Sequence, residues 1–61
     1  MNFQNTKAIA RKLGMTTSEV TSAARDLGIE MNYRADNRYW EIADRRVARE
    51  FFQNLAELQA N

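Results

Sequence analysis

The sequence has no cysteine, no histidine and no proline, and only two glycines among its 61 residues. Without cysteine there is no disulfide and no thiolate ligand, and without histidine there is no imidazole to bind a metal or act as a base. We therefore expect neither a metal site nor another cofactor. No apolar run approaches the roughly 20 residues of a membrane-spanning helix, and no signal-peptide pattern opens the chain. These absences predict a cytoplasmic protein without a membrane partner.

The residues that are present suffice for one small domain. A hydrophobic fraction of 44%, with one Trp, two Tyr and three Phe, favours a packed core over disorder. Nine Lys and Arg against eight Asp and Glu leave a net charge of +1. Such a balance is not typical of a non-specific electrostatic binder of nucleic acid, so a binding site must depend on where the charges lie.

A six-residue pattern occurs twice, as ARKLGM at 10–15 and as ARDLGI at 24–29. In each copy Gly follows Leu at the end of an amphipathic run, and an apolar residue comes next. This order is typical of a helix that a left-handed glycine closes. The two copies therefore predict two helix ends, with helices over about 6–13 and 17–27.

Polar residues stand where each of these helices should begin. Asn5 and Thr6 are suitable N-caps for the first helix, and Thr16 with Glu19 forms a capping box for the second. Because the turn between them is so short, the helices must cross, which is the helix-turn-helix arrangement. The buried stripe of the second helix is predicted to consist of Val20, Ala24 and Leu27, with Ala23 at its edge.

After Gly28 the apolar period changes from helical to two. Apolar residues alternate with polar ones on both sides of a turn at Asp36 and Asn37, which predicts a β-hairpin over about 29–42. A final helix is predicted over about 44–59, with Asp44 as N-cap. The aromatic and aliphatic residues predicted to fill the core from this half are Trp40, Val47 and Phe51.

The segment TKAIARKLGMTTSEVTSAA resembles the bihelical DNA-binding motif, and NRYWEIADRRVAREFF is similar to the wing and following helix of the mercury-resistance regulator (MerR-like) superfamily. That superfamily includes phage excisionases and amino-terminal domains of plasmid and chromosome segregation proteins. The resemblance covers about residues 6–52, although the wing turn lacks the glycine that many relatives carry. It implies a winged helix-turn-helix fold, mainly α with a small β-hairpin. It also implies site-specific binding of double-stranded DNA by a small regulator of transcription, excision or segregation.

In this motif the second helix lies in the major groove and its outer face meets the base edges. Two further basic groups are expected to touch DNA: Arg34 and Arg38 at the wing, on backbone or minor groove, and Lys7, Arg11 and Lys12 on the flanking backbone. The alternative for each group is a solvated polar surface, which is the interpretation favoured for the Arg45, Arg46 and Arg49 cluster. The residues of the outer face are Thr17, Ser18, Thr21, Ser22 and Arg25.

DNA binding has three alternatives: an enzymatic activity, a ribosome-linked role and a role as a protein-interaction adaptor. No enzyme is expected, because the serines have no histidine base and the chain has no glycine-rich phosphate loop. The modest charge would suit a ribosome-linked module like the amino-terminal domain of bacterial translation initiation factor two, or a protein-interaction adaptor. Arg25, Arg34 and Arg38 converging on one face would favour DNA, whereas scattered arginines would favour these alternatives.

The chain is also expected to act in more than one copy, because a single short recognition helix discriminates a site poorly. Leu55 and Leu58 are predicted to remain partly exposed and to form a homodimer surface. Head-to-tail assembly on DNA would need no such surface, and both leucines could instead cover the core of the monomer. We expect either a complete small protein or the head of a longer one.

Overall fold

The computed structural model describes residues 1–60, which form three helices and one two-stranded antiparallel sheet. The elements are, in chain order, α1 (Thr6–Leu13), α2 (Thr17–Asp26), β1 (Met31–Arg34), β2 (Tyr39–Ile42) and α3 (Arg45–Ala60). This is the predicted mainly helical fold with a small hairpin. Within residues 1–60, no helix is long and apolar enough to cross a membrane.

Each helix begins at a side chain that accepts hydrogen bonds from its first turn. The Asn5 side chain accepts from the N–H groups of residues 7 and 8, so Asn5 rather than Thr6 caps α1. The capping box at α2 is confirmed, since Glu19 N–H donates to Thr16 Oγ1 at 3.1 Å and Thr16 N–H donates to Glu19 Oε1 at 2.9 Å. Asp44 caps α3 by accepting from the N–H groups of residues 46 and 47 at 2.8 and 3.1 Å.

The hairpin closes through a four-residue turn, 35–38, in which Arg38 has a positive φ of 53°. Its register pairs Met31 with Ile42 at the base and Arg34 with Tyr39 at the tip. The amino-terminal segment covers the other edge of β2, because Ile42 N–H donates to the Gln4 carbonyl at 2.8 Å. The hairpin is therefore held to the body along β2 and not only through its ends.

Helix α1 is the centre of the packing, since it contacts α2, β2 and α3. Three of the side chains it helps to bury, Ile9, Val20 and Ile42, have no exposed surface. Burial of each contributes about 1.5–3 kcal/mol relative to exposure. The complete set of buried apolar residues is Ile9, Ala10, Val20, Ala24, Ile42, Ala48, Phe51 and Leu55.

Three predictions of burial were wrong. Leu27 was expected in the stripe of α2, but it is 66% exposed, because it follows the last helical residue where the chain leaves for the hairpin. Trp40 was expected in the core, but it is 36% exposed, because among the strand pairs only the one at the hairpin base, Met31 with Ile42, packs against the core. Leu55 was expected to be partly exposed, but it is buried, and only Leu58 one turn later is open, at 71%.

Candidate nucleic-acid interface

Helix α2 packs chiefly against α1, and its outer face is open to solvent. Ser18, Ser22 and Arg25 are exposed and lie four and three residues apart, so they form one stripe along this face. Thr17 is half-buried at the start of the helix. Four of the five residues predicted for the outer face thus have some surface open to a ligand, and three of them are aligned.

Thr21 is the exception, and its placement on the outer face was wrong. It is only 9% exposed, and its hydroxyl donates to the carbonyl oxygens of Thr17 and Ser18, at 3.1 Å each. A threonine in a helix commonly satisfies its hydroxyl in this way, because the backbone of the preceding turn lies within reach. Its position on the helix, between the stripe and the buried Val20 and Ala24, turns it toward the interior.

One edge of this outer face is acidic. Glu19 and Asp26 are exposed and seven residues apart, so they share the edge next to Ser22 and away from Arg25. The Thr16 backbone N–H, helped by the Thr16 hydroxyl, lowers the pKa of Glu19 from its ordinary value of 4.5. Glu19 is therefore held ionised in the capping box. An anionic ligand would approach α2 from the Arg25 side.

The two arginines of the hairpin differ in their partners. Arg34 Nη1 donates to the Glu41 carboxylate at 3.3 Å, and Arg34 Nε lies 3.9 Å from Asp36. Glu41 and, to a smaller extent, Asp36 raise the pKa of Arg34. Among residues 1–60, Arg38 has no carboxylate within 4.0 Å. Arg38 is therefore the unpaired cation of the turn, whereas much of the charge of Arg34 is already compensated.

A hydrogen bond connects the start of α1 to the hairpin tip. Lys7 Nζ donates to the Asn37 carbonyl at 3.1 Å, which places the lysine beside the turn that carries Arg38. Arg11 lies one turn further along the same exposed face of α1, and Lys12 lies beside it on the same helix. Lys7, Arg11 and the turn that carries Arg38 thus form one basic surface. The sequence gives no signal of the 7–37 contact, because it joins residues 30 positions apart.

Arg25 belongs to a second group. It lies in the last turn of α2, whereas Arg34 and Arg38 lie at the far end of the hairpin. The strand β1, four residues long, separates the base of the hairpin, which follows α2, from its tip by roughly 10 Å. The three arginines do not form a single cluster, so the convergence on one face that would favour DNA over a ribosome-linked module or an adaptor is not observed. They are divided between one exposed helix and one hairpin tip.

The basic cluster on α3 is partly structural. Arg45, Arg46 and Arg49 are exposed on the first turns of the helix. The guanidinium carbon of Arg49 lies 5.5 Å from the centre of the Phe3 ring, within the range of a cation–π contact. Phe3 in turn packs edge-on against Phe52 at 5.0 Å. Arg49 thus helps to hold the amino-terminal segment on α3.

Comparison of the chain with protein-family models, with curated proteins and with solved structures finds no significant match. In the part of the chain that the structure describes, no three acidic side chains lie close enough together to hold a metal ion.

Proposed function

We propose that the chain is a winged helix-turn-helix domain that binds double-stranded DNA site-specifically, with α2 in the major groove and the hairpin on the adjacent backbone or minor groove. The observation that carries the proposal is the open stripe of Ser18, Ser22 and Arg25 on a helix whose opposite side is fixed to α1 through buried Val20 and Ala24. A recognition helix needs both properties, because a base-reading side chain must be exposed and its helix must not move.

The residues of the stripe have distinct roles in this proposal. Arg25 donates two hydrogen bonds to one guanine, the commonest specific contact in the major groove. Ser18 and Ser22 are short, so they allow the helix to approach closely and bond to bases or phosphates through their hydroxyls. The acidic edge formed by Glu19 and Asp26 repels phosphate and favours one orientation of the helix in the groove.

The backbone contacts belong to the other basic surface. Lys7 and Arg38 meet phosphates directly, since neither has a carboxylate partner among residues 1–60. Arg34 contributes less, because binding a phosphate requires it to leave Glu41. Arg11 and Lys12 extend the same surface along α1. This division of tasks suits a small regulator of transcription, excision or segregation.

The proposed function is tested by selecting binding sites from random duplex DNA and measuring the affinity of Arg25→Ala for the selected site. Arg25→Ala should cost about 1–3 kcal/mol of specific binding and relax the base preference at one position. Arg46→Ala is the matched control, because it removes the same charge from an exposed position on α3. If no sequence is enriched, a ribosome-linked or protein-interaction role replaces this proposal. If Arg25→Ala and Arg46→Ala bind alike, α2 is not the recognition helix.

The wing is tested through the salt dependence of binding. Replacing Lys7 or Arg38 by alanine should make the log–log salt slope shallower by roughly 0.9 for each phosphate that the protein no longer neutralises. Arg34→Ala should change the slope less, because its charge is shared with Glu41. Equal slopes in wild type and in the Lys7, Arg38 double variant would place the hairpin away from DNA.

We further propose that two copies act together, through Leu58 and not through Leu55. Leu55 lies in the monomer core, so Leu55→Glu would unfold the domain and test nothing about pairing. Leu58 is open and lies on the same side of α3. Sedimentation of wild type and Leu58→Glu, with and without the selected DNA, separates a helix-mediated dimer from monomers or head-to-tail arrays, which Leu58→Glu would leave unchanged.

A further inference from the structure

The two strands of the hairpin carry a partly exposed aromatic pair. Tyr33 lies directly opposite Trp40, and their ring centres are 5.2 Å apart at an angle of 60°. The Trp40 carbonyl accepts from the Thr6 hydroxyl at 2.9 Å, on the edge of β2 away from β1. Tyr33 and Trp40 therefore occupy a non-hydrogen-bonded position of the ladder, where opposed side chains lie closest.

The two faces of the hairpin differ in chemistry. Side chains alternate along each strand, so Tyr33 and Trp40 share a face with Met31 and Ile42. Ile42 belongs to the core and Met31 packs against it, but the aromatic pair extends past the core, and Tyr33 is 52% exposed. The charged strand residues Arg34 and Glu41, which bond to each other, lie on the opposite face. The aromatic face of the two strands thus carries no charge.

Two cations lie at the hairpin turn that ends this face, and the carboxylate of the turn, Asp36, lies 3.9 Å from Arg34 Nε. Arg38 is in the turn that joins the strands, and Lys7 is bonded to that turn through the Asn37 carbonyl. Neither has a carboxylate partner among residues 1–60. Flat apolar rings beside unpaired cations are complementary to a ligand that carries both phosphates and exposed aromatic bases. Duplex DNA presents the phosphates but hides the base faces, whereas a single strand presents both.

We propose that the Tyr33–Trp40 face binds single-stranded nucleic acid, with an unpaired base stacked on the aromatic rings and its phosphates beside Lys7 and Arg38. This activity goes beyond the recognition of duplex DNA by α2 and does not require it. The pair also stabilises the hairpin, as cross-strand aromatic pairs do. Other exposed apolar side chains, such as Leu27 and Leu58, are aliphatic and offer no ring face to a base.

The first experiment needs no substitution. Trp40 is the sole tryptophan, so its fluorescence reports directly on the proposed site. Wild-type protein is titrated with a single strand of roughly 12 nucleotides, within the length that one small stacking surface spans, and with an abasic strand of the same length. Stacking predicts that the ordinary strand changes the fluorescence and binds at least about fivefold more tightly. Equal binding of the two strands would mean contact with phosphates alone and would overturn the proposal.

The second experiment locates the site. Tyr33→Leu should weaken binding of the ordinary strand about tenfold, and Tyr33→Phe should retain most of the affinity, because the ring rather than the hydroxyl stacks. Tyr39→Leu, on the opposite face, is the matched control, and circular dichroism checks that each variant folds. If Tyr33→Leu weakens binding of duplex but not of single strands, the pair acts in a groove and the proposal fails.

Failure of duplex binding by α2 can be distinguished from failure of single-strand binding by the Tyr33–Trp40 face. Arg25→Ala should weaken binding to the selected duplex and leave the affinity for a single strand unchanged. Failure to select any duplex sequence, together with binding of single strands that depends on Tyr33, would overturn the proposed function and support this inference. Should Tyr33→Leu fail to fold, the comparison of ordinary and abasic strands on wild-type protein still decides.

Discussion

The two copies of the repeated segment, 10–15 and 24–29, have nearly the same sequence and nearly the same backbone. Gly14 has φ 68° and Gly28 has φ 72°. In each copy the N–H of the last residue donates to the carbonyl of the first, from Met15 to Ala10 at 2.9 Å and from Ile29 to Ala24 at 3.0 Å. This bond, from the second residue beyond the cap to the third before it, is the longer of the two bonds of a Schellman ending. The shorter bond, from Gly28 N–H to the Arg25 carbonyl at 3.0 Å, belongs to the second copy.

The leucines of the two segments differ. Leu13 is half-buried and packs against the core, whereas Leu27 is mostly exposed. After Leu13 the chain turns at once into α2, which folds back over α1. After Leu27 the chain leaves for the hairpin, and no element covers the side chain. Local sequence thus determines how a helix ends, but the next element along the chain determines whether the last apolar residue of that helix is buried.

Truncation of the two leucines should give the largest difference between the segments. Leu13→Ala should lower the free energy of unfolding by about 2 kcal/mol, because it removes a partly buried side chain next to the core. Leu27→Ala should change it by no more than about 0.5 kcal/mol, as for most surface substitutions. Urea denaturation followed by circular dichroism measures both values. Equal losses would show that Leu27 is covered in solution, by a second copy or by a different packing of α2.

Substitution of the two glycines should have a smaller effect, and the same one in both segments. A Cβ built on Gly14 or on Gly28 meets no atom within 4 Å, so the cost of alanine is the strain of a left-handed backbone alone. We expect each variant to lose about 1 kcal/mol, or roughly 4–8 °C in Tm for a domain of this size. A difference well above about 0.5 kcal/mol would mean that one ending carries a constraint that the backbone does not reveal.

The difference between local sequence and long-range packing also explains how much of the fold could be predicted from the sequence. The helix ends, the Thr16–Glu19 capping box, the Asp44 cap and the hairpin depend on residues close together in the chain, and these predictions were confirmed. Burial of Leu27, Trp40 and Leu55 depends on which element lies opposite, and there the predictions were wrong. Helical periodicity predicts the direction in which a side chain points, but not whether another element extends far enough to cover it.

In the candidate sites too, local features could be predicted from the sequence, whereas contacts between distant residues could not. The exposed stripe of α2 could be predicted from periodicity except for Thr21, whose hydroxyl bonds to its own helix. Pairing of Arg34 with Glu41 could not be predicted, because it requires the hairpin register, and no Asn-Gly turn fixes that register in the sequence. Once the register is known, both the pairing and the opposition of Tyr33 and Trp40 are direct consequences of it.

The Thr16–Glu19 capping box comes directly after the repeated segment 10–15 and has no counterpart after 24–29. The contribution of this capping box to stability should depend on pH. The Thr16 N–H lowers the pKa of Glu19 in the folded chain. A carboxyl whose pKa is lower when folded stabilises the fold fully above its unfolded pKa and loses that contribution as the pH falls through the folded value. The stability difference between wild type and Glu19→Gln should therefore be constant near neutral pH and shrink below about pH 4.5.

Urea denaturation from neutral pH to about pH 3 measures this difference. Gly28→Ala is the control. It destabilises the domain by straining the left-handed residue at the end of α2, but it leaves every carboxylate in place. Its stability should change in parallel with that of wild type across the same range. If the Glu19→Gln difference stays constant down to the lowest pH, the bond between Glu19 and the Thr16 N–H does not form in solution. The start of α2 would then depend on the Thr16 hydroxyl alone, and the two repeated segments would differ only in the elements that pack over their leucines.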